Sequence, residues 1–384
     1  MKRFCIFAAN YFPNLGGIER YTYNLARELV RLGHALTIVT NNVYSLPEIE
    51  LIQGIQVIRV PCWNVLHGRF PVLRFGGDFL RLHKKLMEES FDLVIIQARF
   101  YIHSLYGASY ASKKEIPRIL IEHGTNHFSV NNPLLDYTGH IYEHLITKLV
   151  KRKCSNYYGV SQESCNWLKH FGIQSRGILY NAVNLEEIER TLSMRHEYKY
   201  RAEAFSDSMI VAYAGRLIEE KGILKLLKAV QSLYDSGIKI RLIVAGDGAL
   251  FDVLKKMEVP YIQVLGRLDF ADVIMLMNEA DIFCLPTDYP EGFPTSVLEA
   301  AACKTFIITT EKGGSKELIL DDSYGIILSE NAVERIADAI SFATCNHDYR
   351  KSAIEKTYDR LKQHFVWEQT TRKVLRLAEE LGHT

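Results

Sequence analysis

The sequence predicts an α/β fold of two domains, each a doubly wound parallel sheet. Three observations predict it. Short β-branched apolar runs alternate with longer helical patterns along the chain, the βαβα rhythm of parallel sheets. The length, 384 residues, suits two domains rather than one. Glycine-bearing loops follow several of the strands, and in such sheets ligands bind beyond the strands' carboxyl ends.

The first domain is expected over 1–175, joined by a last helix (364–384) that packs back onto it. Residues 3–9 read as a buried strand, too short in apolar length for a signal peptide. A loop over 10–17 and a helix over 18–32 follow, ended by Gly33 in a C′ position. Strands are expected at 36–40, 55–60, 92–96, 119–122 and 157–160, and helices at 76–89, 102–115, 136–153 and 162–171. The first loop lacks G-x-G-x-x-G, which argues against a dehydrogenase. It offers Gly16 and Gly17, then Glu19-Arg20. A glycine pair at a helix start lets backbone N–H groups close on a phosphate, and it equally suits a plain tight turn. His123 stands at a strand end in Glu122-His123-Gly124-Thr125, placed for function or for a hydrogen bond to its own loop.

The second domain is expected over 176–363. Charged, Tyr-rich residues 186–206 read as helix and surface loop. Strand 209–214 precedes Gly215-Arg216-Leu217 and Glu219-Glu220-Lys221-Gly222. Arg216 and Lys221, before a helix start, can neutralise a diphosphate or pair with Glu219 and Glu220. Strands 239–245 and 261–265 follow, the latter running into Gly266-Arg267-Leu268, then a helix at 270–279.

The most informative stretch is 288–303, between buried strands Ile282–Leu285 and 305–310. Pro294 suits a first helical turn, and Thr295 and Ser296 are placed to accept from orphan N–H groups. Val297 to Cys303 read as helix, whose positive end makes an anion site, and Gly292 lets a ligand approach the backbone. Glu291 and Glu299 flank it. A carboxylate accepts through two oxygens and can grip paired hydroxyls of a sugar or ribose. A solvated and a capping glutamate would look the same.

Composition bounds the class. Seven scattered cysteines, none in C-x-x-C spacing, argue against a disulfide framework or zinc site and for a reducing compartment. No apolar run reaches the roughly 18 residues of a membrane span. The expected location is cytoplasmic, with a peripheral place on the inner membrane face. Net charge is +1, but residues 1–175 hold 20 Lys and Arg against 13 Asp and Glu, and the remainder 26 against 32. The basic first half suggests an anionic partner. No nucleic-acid-binding signature accompanies it. His140, His144, Lys148 and Lys151/Arg152 form one helical stripe, and Arg69, Arg74, Arg81, Lys84 and Lys85 a second basic cluster. Either is a solvated face or a contact for anionic lipid or a diphosphate-bearing acceptor.

Glu291-Gly292-Phe293-Pro294 with Glu299 resembles the signature of the retaining glycosyltransferases of family 4, which have the GT-B fold. Gly215-Arg216-Leu217 with Lys221-Gly222, and Gly313-Gly314-Ser315 with Glu317, are similar to further motifs of that family. The sequence departs from it at Asn181-Ala182-Val183-Asn184 and at Lys304-Thr305. The resemblance implies two domains facing a cleft. Glu291 would contact the donor sugar, Glu299 the ribose, and Arg216 and Lys221 the diphosphate. Gly215, Gly292, Phe293, Pro294, Thr295, Ser296 and Val297 would line the donor site, and backbone groups at Arg267 and Leu268 would meet the base. Gly16 and Gly17 would close on the donor diphosphate, with Glu19, His123 and Thr125 toward the acceptor. The donor would be a UDP-, GDP- or similar nucleotide sugar, and the acceptor a glycan or lipid-linked glycan in surface polysaccharide synthesis. No Asp-x-Asp and no ligand-spaced His/Asp cluster is evident, so no metal or other cofactor is expected. A nucleotide-sugar epimerase of the same fold and a non-catalytic nucleotide-sugar binder are the competing readings.

Overall fold

The computed structural model describes residues 1–14, 16–129, 132–194, 199–201 and 207–382. Parts of the expected 10–17 and 186–206 loops (Leu15, 195–198 and 202–206) lie outside these. The chain divides into two compact units, Met1–Asn181 with Trp367–Thr384, and Ala182–Val366. The first crossing falls after Asn181 rather than after residue 175, because residues 177–178 still pair with the first sheet.

The first unit begins with β1 (Arg3–Phe7), α1 (Gly17–Arg31) and β2 (Ala35–Asn41). Next come β3 (Ile49–Ile52), β4 (Ile55–Val60), β5 (Cys62–Val65), β6 (Phe70–Leu73) and α2 (Gly77–Glu88). It continues through β7 (Leu93–Gln97), α3 (Ile102–Lys113), β8 (Arg118–Glu122), α4 (Pro133–Lys151), β9 (Tyr157–Gly159), α5 (Gln162–His170) and β10 (Gly177–Ile178). The sheet runs β10-β9-β8-β7-β1-β2-β4-β3 and is parallel except for β3, which pairs antiparallel with β4 at one edge. β1 and β7 lie at its centre. Cys5, Phe7, Val94 and Ile96 there meet Tyr110 from α3 in the core.

The second unit contains α6 (Leu185–Ser193), β11 (Met209–Ala214), α7 (Ile223–Asp235), β12 (Ile240–Ala245), α8 (Phe251–Lys255), β13 (Ile262–Gly266), α9 (Phe270–Glu279) and β14 (Ile282–Leu285). It ends with α10 (Thr295–Ala302), β15 (Phe306–Thr310), α11 (Ser315–Leu318), β16 (Ile326–Leu328), α12 (Val333–Cys345) and α13 (His347–His364). Its sheet, β13-β12-β11-β14-β15-β16, is parallel throughout. The two chain crossings lie side by side: Val183 bridges Val366, and its N–H donates to the Phe365 carbonyl at 3.0 Å. Beyond them α14 (Trp367–Glu380) joins the first unit, where Trp367 takes the edge of Tyr21 on α1 at 5.0 Å.

Each sheet has one place where the chain leaves a strand toward one side and returns to the other. In the first unit this is between β1 and β7, in the second between β11 and β14. Open α/β sheets gather their ligand-binding loops at such a point.

Candidate functional site

In the second unit, the loops after β11 and β14 carry the predicted cations and the first predicted glutamate. Lys221 ends a short 3-10 turn (Glu219–Lys221) and contacts the Glu291 carboxylate. Both side chains are largely buried. The Tyr289 ring lies under both cations, with the Arg216 guanidinium carbon at 4.6 Å and Lys221 Nζ at 5.2 Å from its centroid. The Glu220 carbonyl accepts from the N–H groups of Asp288 (2.8 Å) and Tyr289 (3.0 Å), tying the loops together. Gly222 makes this approach possible. Its φ is +77°, and a Cβ there would collide with the Pro286 carbonyl oxygen.

Burial, with the Arg216 guanidinium nearby, pushes Lys221 down to about 7; contact with Glu291 works in the opposite sense. The site therefore holds a cation that an incoming anion would stabilise.

The helix start differs from expectation. α10 begins at Thr295 with Pro294 as its N-cap, a residue that makes no side-chain capping hydrogen bond. Thr295 and Ser296 lie inside the first turn, where a residue's own side chain no longer reaches N2 and N3 as an N-cap does. The loop before it is held from behind: Phe293 stacks edgewise on Phe365 at 5.3 Å, and Gly314 N–H donates to the Gly292 carbonyl at 3.2 Å. Val297 is buried, while Thr295, Ser296 and Glu299 are half-buried. Gly215 N–H donates to the Ala245 carbonyl at 3.1 Å. Arg267, exposed, and Leu268, half-buried, follow β13, two strands further along the same carboxyl edge.

The first unit's point is built differently. Glu19 turns its carboxylate back onto its own helix, over Gly16, and takes a 3.2 Å hydrogen bond from Asn14 Nδ2. A Cβ at Gly16 would strike that carboxylate, whereas Gly17 stands open. Backbone hydrogen bonds at Gly16 and Glu19 stabilise the charge, yet burial outweighs them and raises the Glu19 pKa. The carboxylate expected toward an acceptor thus closes the start of α1, occupying the place where a phosphate would meet Gly16.

His123 follows β8, with Nε2 at 2.7 Å from Gln97 Oε1 and its ring 4.8 Å from that of Tyr21. With Gln97 Oε1 accepting, the proton sits on Nε2 and Nδ1 is left as an acceptor. Desolvation lowers this histidine to about 3, so it is neutral at physiological pH. Glu122 serves the backbone: its Oε1 accepts from the N–H groups of His123 (3.0 Å) and Gly124 (2.9 Å). Its Oε2 accepts from Arg99 at 2.7 Å, and Arg99 also donates to Glu143 at 2.8 Å. Thr125 is half-buried in the next turn.

Two family descriptions tile the chain. "Glycosyltransferase Family 4" matches residues 15–187 and "Glycosyl transferases group 1" matches 194–360. An uncharacterised glycosyltransferase of Methanocaldococcus jannaschii is 26% identical over 390 residues, covering 98% of each chain. The GPI3 component of the Saccharomyces cerevisiae phosphatidylinositol N-acetylglucosaminyltransferase is 22% identical over 386 residues, covering 97% of this chain and 82% of its own length. Among solved structures, Anabaena HepE in complex with UDP superposes with TM-score 0.73 at 17% identity, covering 99% of this chain and all of that one. Sucrose-phosphate synthase from Thermosynechococcus elongatus gives 0.72 at 16%, covering 99% of each chain.

The chain belongs to glycosyltransferase family 4. Its fold is GT-B, and it is a glycosyltransferase.

Three features of this glycosyltransferase were not visible in its sequence. The first is the buried Glu122–Arg99–Glu143 network, whose members are far apart in the chain. The second is a histidine cluster. His127, His144 and His170 bring one ring nitrogen each within 4.8 Å of the others, and His140 stacks on His127 at 4.0 Å. The His140–His144 spacing, one turn of a helix, was the available signal. The third corrects the basic stripe. His144 turns to His170, and its pKa falls through burial and that neighbour, so this position adds no positive charge. Lys151 donates to the Phe171 and Gly172 carbonyls at 2.9 Å each, which fixes the end of α5. In the second basic cluster, Arg81 pairs with Glu48 at 2.8 Å as well as with Asp78.

Proposed function

We propose that this glycosyltransferase transfers a sugar from a nucleoside-diphosphate sugar with retention and without a metal, holding the donor on its second unit. The convergence of Arg216, Lys221 and Glu291 between β11 and β14 carries this reading. Arg216, Lys221 and the start of α10 would stabilise the charge that develops on the leaving diphosphate, an electrostatic contribution that needs no metal. Glu291 would hold the donor sugar and Glu299 the ribose, while Gly292 to Val297 line the diphosphate. Arg267 and Leu268 would meet the base through backbone groups. The bond from the anomeric carbon to the phosphate oxygen breaks as the acceptor hydroxyl oxygen bonds to the same face of that carbon. The acceptor's proton passes to the departing phosphate. His123, neutral, would position an acceptor hydroxyl, with Thr125 beside it and Glu19 setting the neighbouring loop. UDP is the first nucleoside diphosphate to test, since HepE is solved with it.

A thermal-shift panel of nucleoside diphosphates, followed by donor hydrolysis with product anomer analysis, tests the reading. Stabilisation by one diphosphate, lost in Glu299→Ala, is expected, together with an α product from an α donor and activity that needs no added Mg²⁺ or Mn²⁺. Inversion, or activity that appears only with added Mg²⁺ or Mn²⁺, would overturn it. A donor epimerised without any acceptor would favour the isomerase.

A lipid-linked acceptor at the inner membrane face is supported by α4. Leu134, Tyr137, Ile141, Leu145 and Leu149 form an exposed apolar stripe at helical spacing. Beside it a hollow of about 530 Å³ is lined by Lys148, Lys151 and Arg152. Apolar area flanked by cations suits an anionic bilayer. Binding to anionic but not zwitterionic vesicles is expected, and Lys148→Glu with Arg152→Glu should abolish it. Equal binding to both vesicle types, or to neither, would remove the membrane and leave the stripe to a protein partner.

A further inference from the structure

We propose that His127, His144 and His170 form a binding site for a divalent transition-metal ion of the zinc class, which clamps the loop after β8 to α4 and α5. His127 belongs to that loop, His144 to α4 and His170 to the last residue of α5. His144 and His170 already place their Nε2 atoms 3.2 Å apart. Two imidazoles on one tetrahedral zinc, each about 2.0–2.1 Å from the ion, stand roughly 3.3 Å apart. All three ligand atoms lie within 4.8 Å of one another, so small side-chain rotations complete the set.

The surroundings are those of a ligand rather than a chance surface histidine. His127 Nδ1 is 3.0 Å from Glu143 Oε2, and Arg99 holds that same oxygen at 2.8 Å. A carboxylate on one ring nitrogen fixes the tautomer and turns the other nitrogen out as a lone-pair donor, the arrangement found behind metal-bound histidines. Two carboxylates, Glu122 and Glu143, share the single Arg99 guanidinium. Trp167 stacks on His170 at 4.7 Å and 6°, fixing the plane of an exposed ligand. Three imidazoles with one position left for water suit Zn²⁺ and disfavour Mg²⁺ or Ca²⁺, which take oxygen ligands.

The ion's role would be architectural. Its loop begins at His123, and the same carboxylate network ends on the His123 N–H, so the clamp would fix the backbone that presents this residue. The cations proposed for the diphosphate belong to the other unit and need no metal. Failure of the clamp therefore leaves the glycosyl-transfer reading standing.

The test uses tag-free full-length protein, stripped with chelator and titrated with Zn²⁺ by calorimetry and with Co²⁺ by visible absorption. Expected are one ion per chain, a tetrahedral cobalt spectrum and a rise in Tm on Zn²⁺ addition. His144→Ala and His170→Ala, both at exposed positions, should each weaken binding at least about tenfold and lose the Tm response. His140→Ala should keep both. Absence of stoichiometric binding in the wild type, or binding unchanged in both His144→Ala and His170→Ala, would overturn the proposal.

Discussion

The two units solve the same topological problem with opposite electrostatics. At the β11–β14 point two cations face one carboxylate, and Lys221 is kept from its ordinary pKa by burial. At the β1–β7 point the acids are already occupied: Glu19 closes α1, Glu122 serves two N–H groups and Arg99, and His123 is uncharged. On the proposed function, the first arrangement would take the donor's diphosphate, and the second, with its acids already engaged, would meet an acceptor's hydroxyls. One α/β scaffold would then be tuned toward diphosphate or hydroxyl by the few residues that end its central strands.

Four measurements would break or sharpen that contrast. The largest effect is expected at Arg99. Arg99→Leu leaves Glu122 and Glu143 buried without their cation and should cost about 3–5 kcal/mol in denaturant unfolding. A cost below about 1 kcal/mol would mean that the first unit's acids are not held by this pair. Lys221→Met should instead spare the fold and lower kcat about 10²–10³-fold, the usual loss when one stabiliser of developing charge is removed. Unchanged turnover would erase the contrast between the units.

The third measurement is pH dependence. A bound diphosphate favours protonated Lys221, whose pKa in the free protein is about 7. Affinity for nucleoside diphosphate should therefore fall as pH rises above this value, by up to about tenfold per unit, since a proton is taken up on binding. Calorimetry between about pH 7.5 and 9, where the phosphates' own ionisation is complete, isolates the effect. Lys221→Met should be flat over the same range. The smallest effect is at Glu19: Glu19→Ala removes the carboxylate that closes α1 and should cost about 1 kcal/mol, while Glu19→Gln retains most of that. A large loss of turnover with no loss of stability would return Glu19 to the acceptor.

Much of this fold can be read in the residues. Strands Met209–Ala214 and Ile282–Leu285 stand where their apolar runs place them, because strands buried on both faces leave an unbroken hydrophobic signal. The β5–β6 hairpin was not anticipated: its strands are short, and no Asn-Gly or Asp-Gly pair marks its turn. Helix α13 was missed for another reason. Its buried positions are Ala353, Thr357 and Leu361, a stripe one residue wide with a threonine in it. At the candidate site, Arg216, Lys221 and Glu291 were legible as motifs, but their convergence on Tyr289 was not. The role of Arg99 was not legible because pairing across 23 and 44 residues leaves no periodicity, and a buried arginine looks like any surface charge until its partners are seen; of the histidines, only the His140–His144 spacing showed.

The return of α14 has a consequence for the order of synthesis. Tyr21 is enclosed by Trp367, and its hydroxyl donates to the Leu179 carbonyl at 3.0 Å. The half that leaves the ribosome first therefore stays unfinished until the second half has been made. During that interval an aromatic face on α1 is uncovered, and the intervening segment, complete in itself, can settle before its predecessor does.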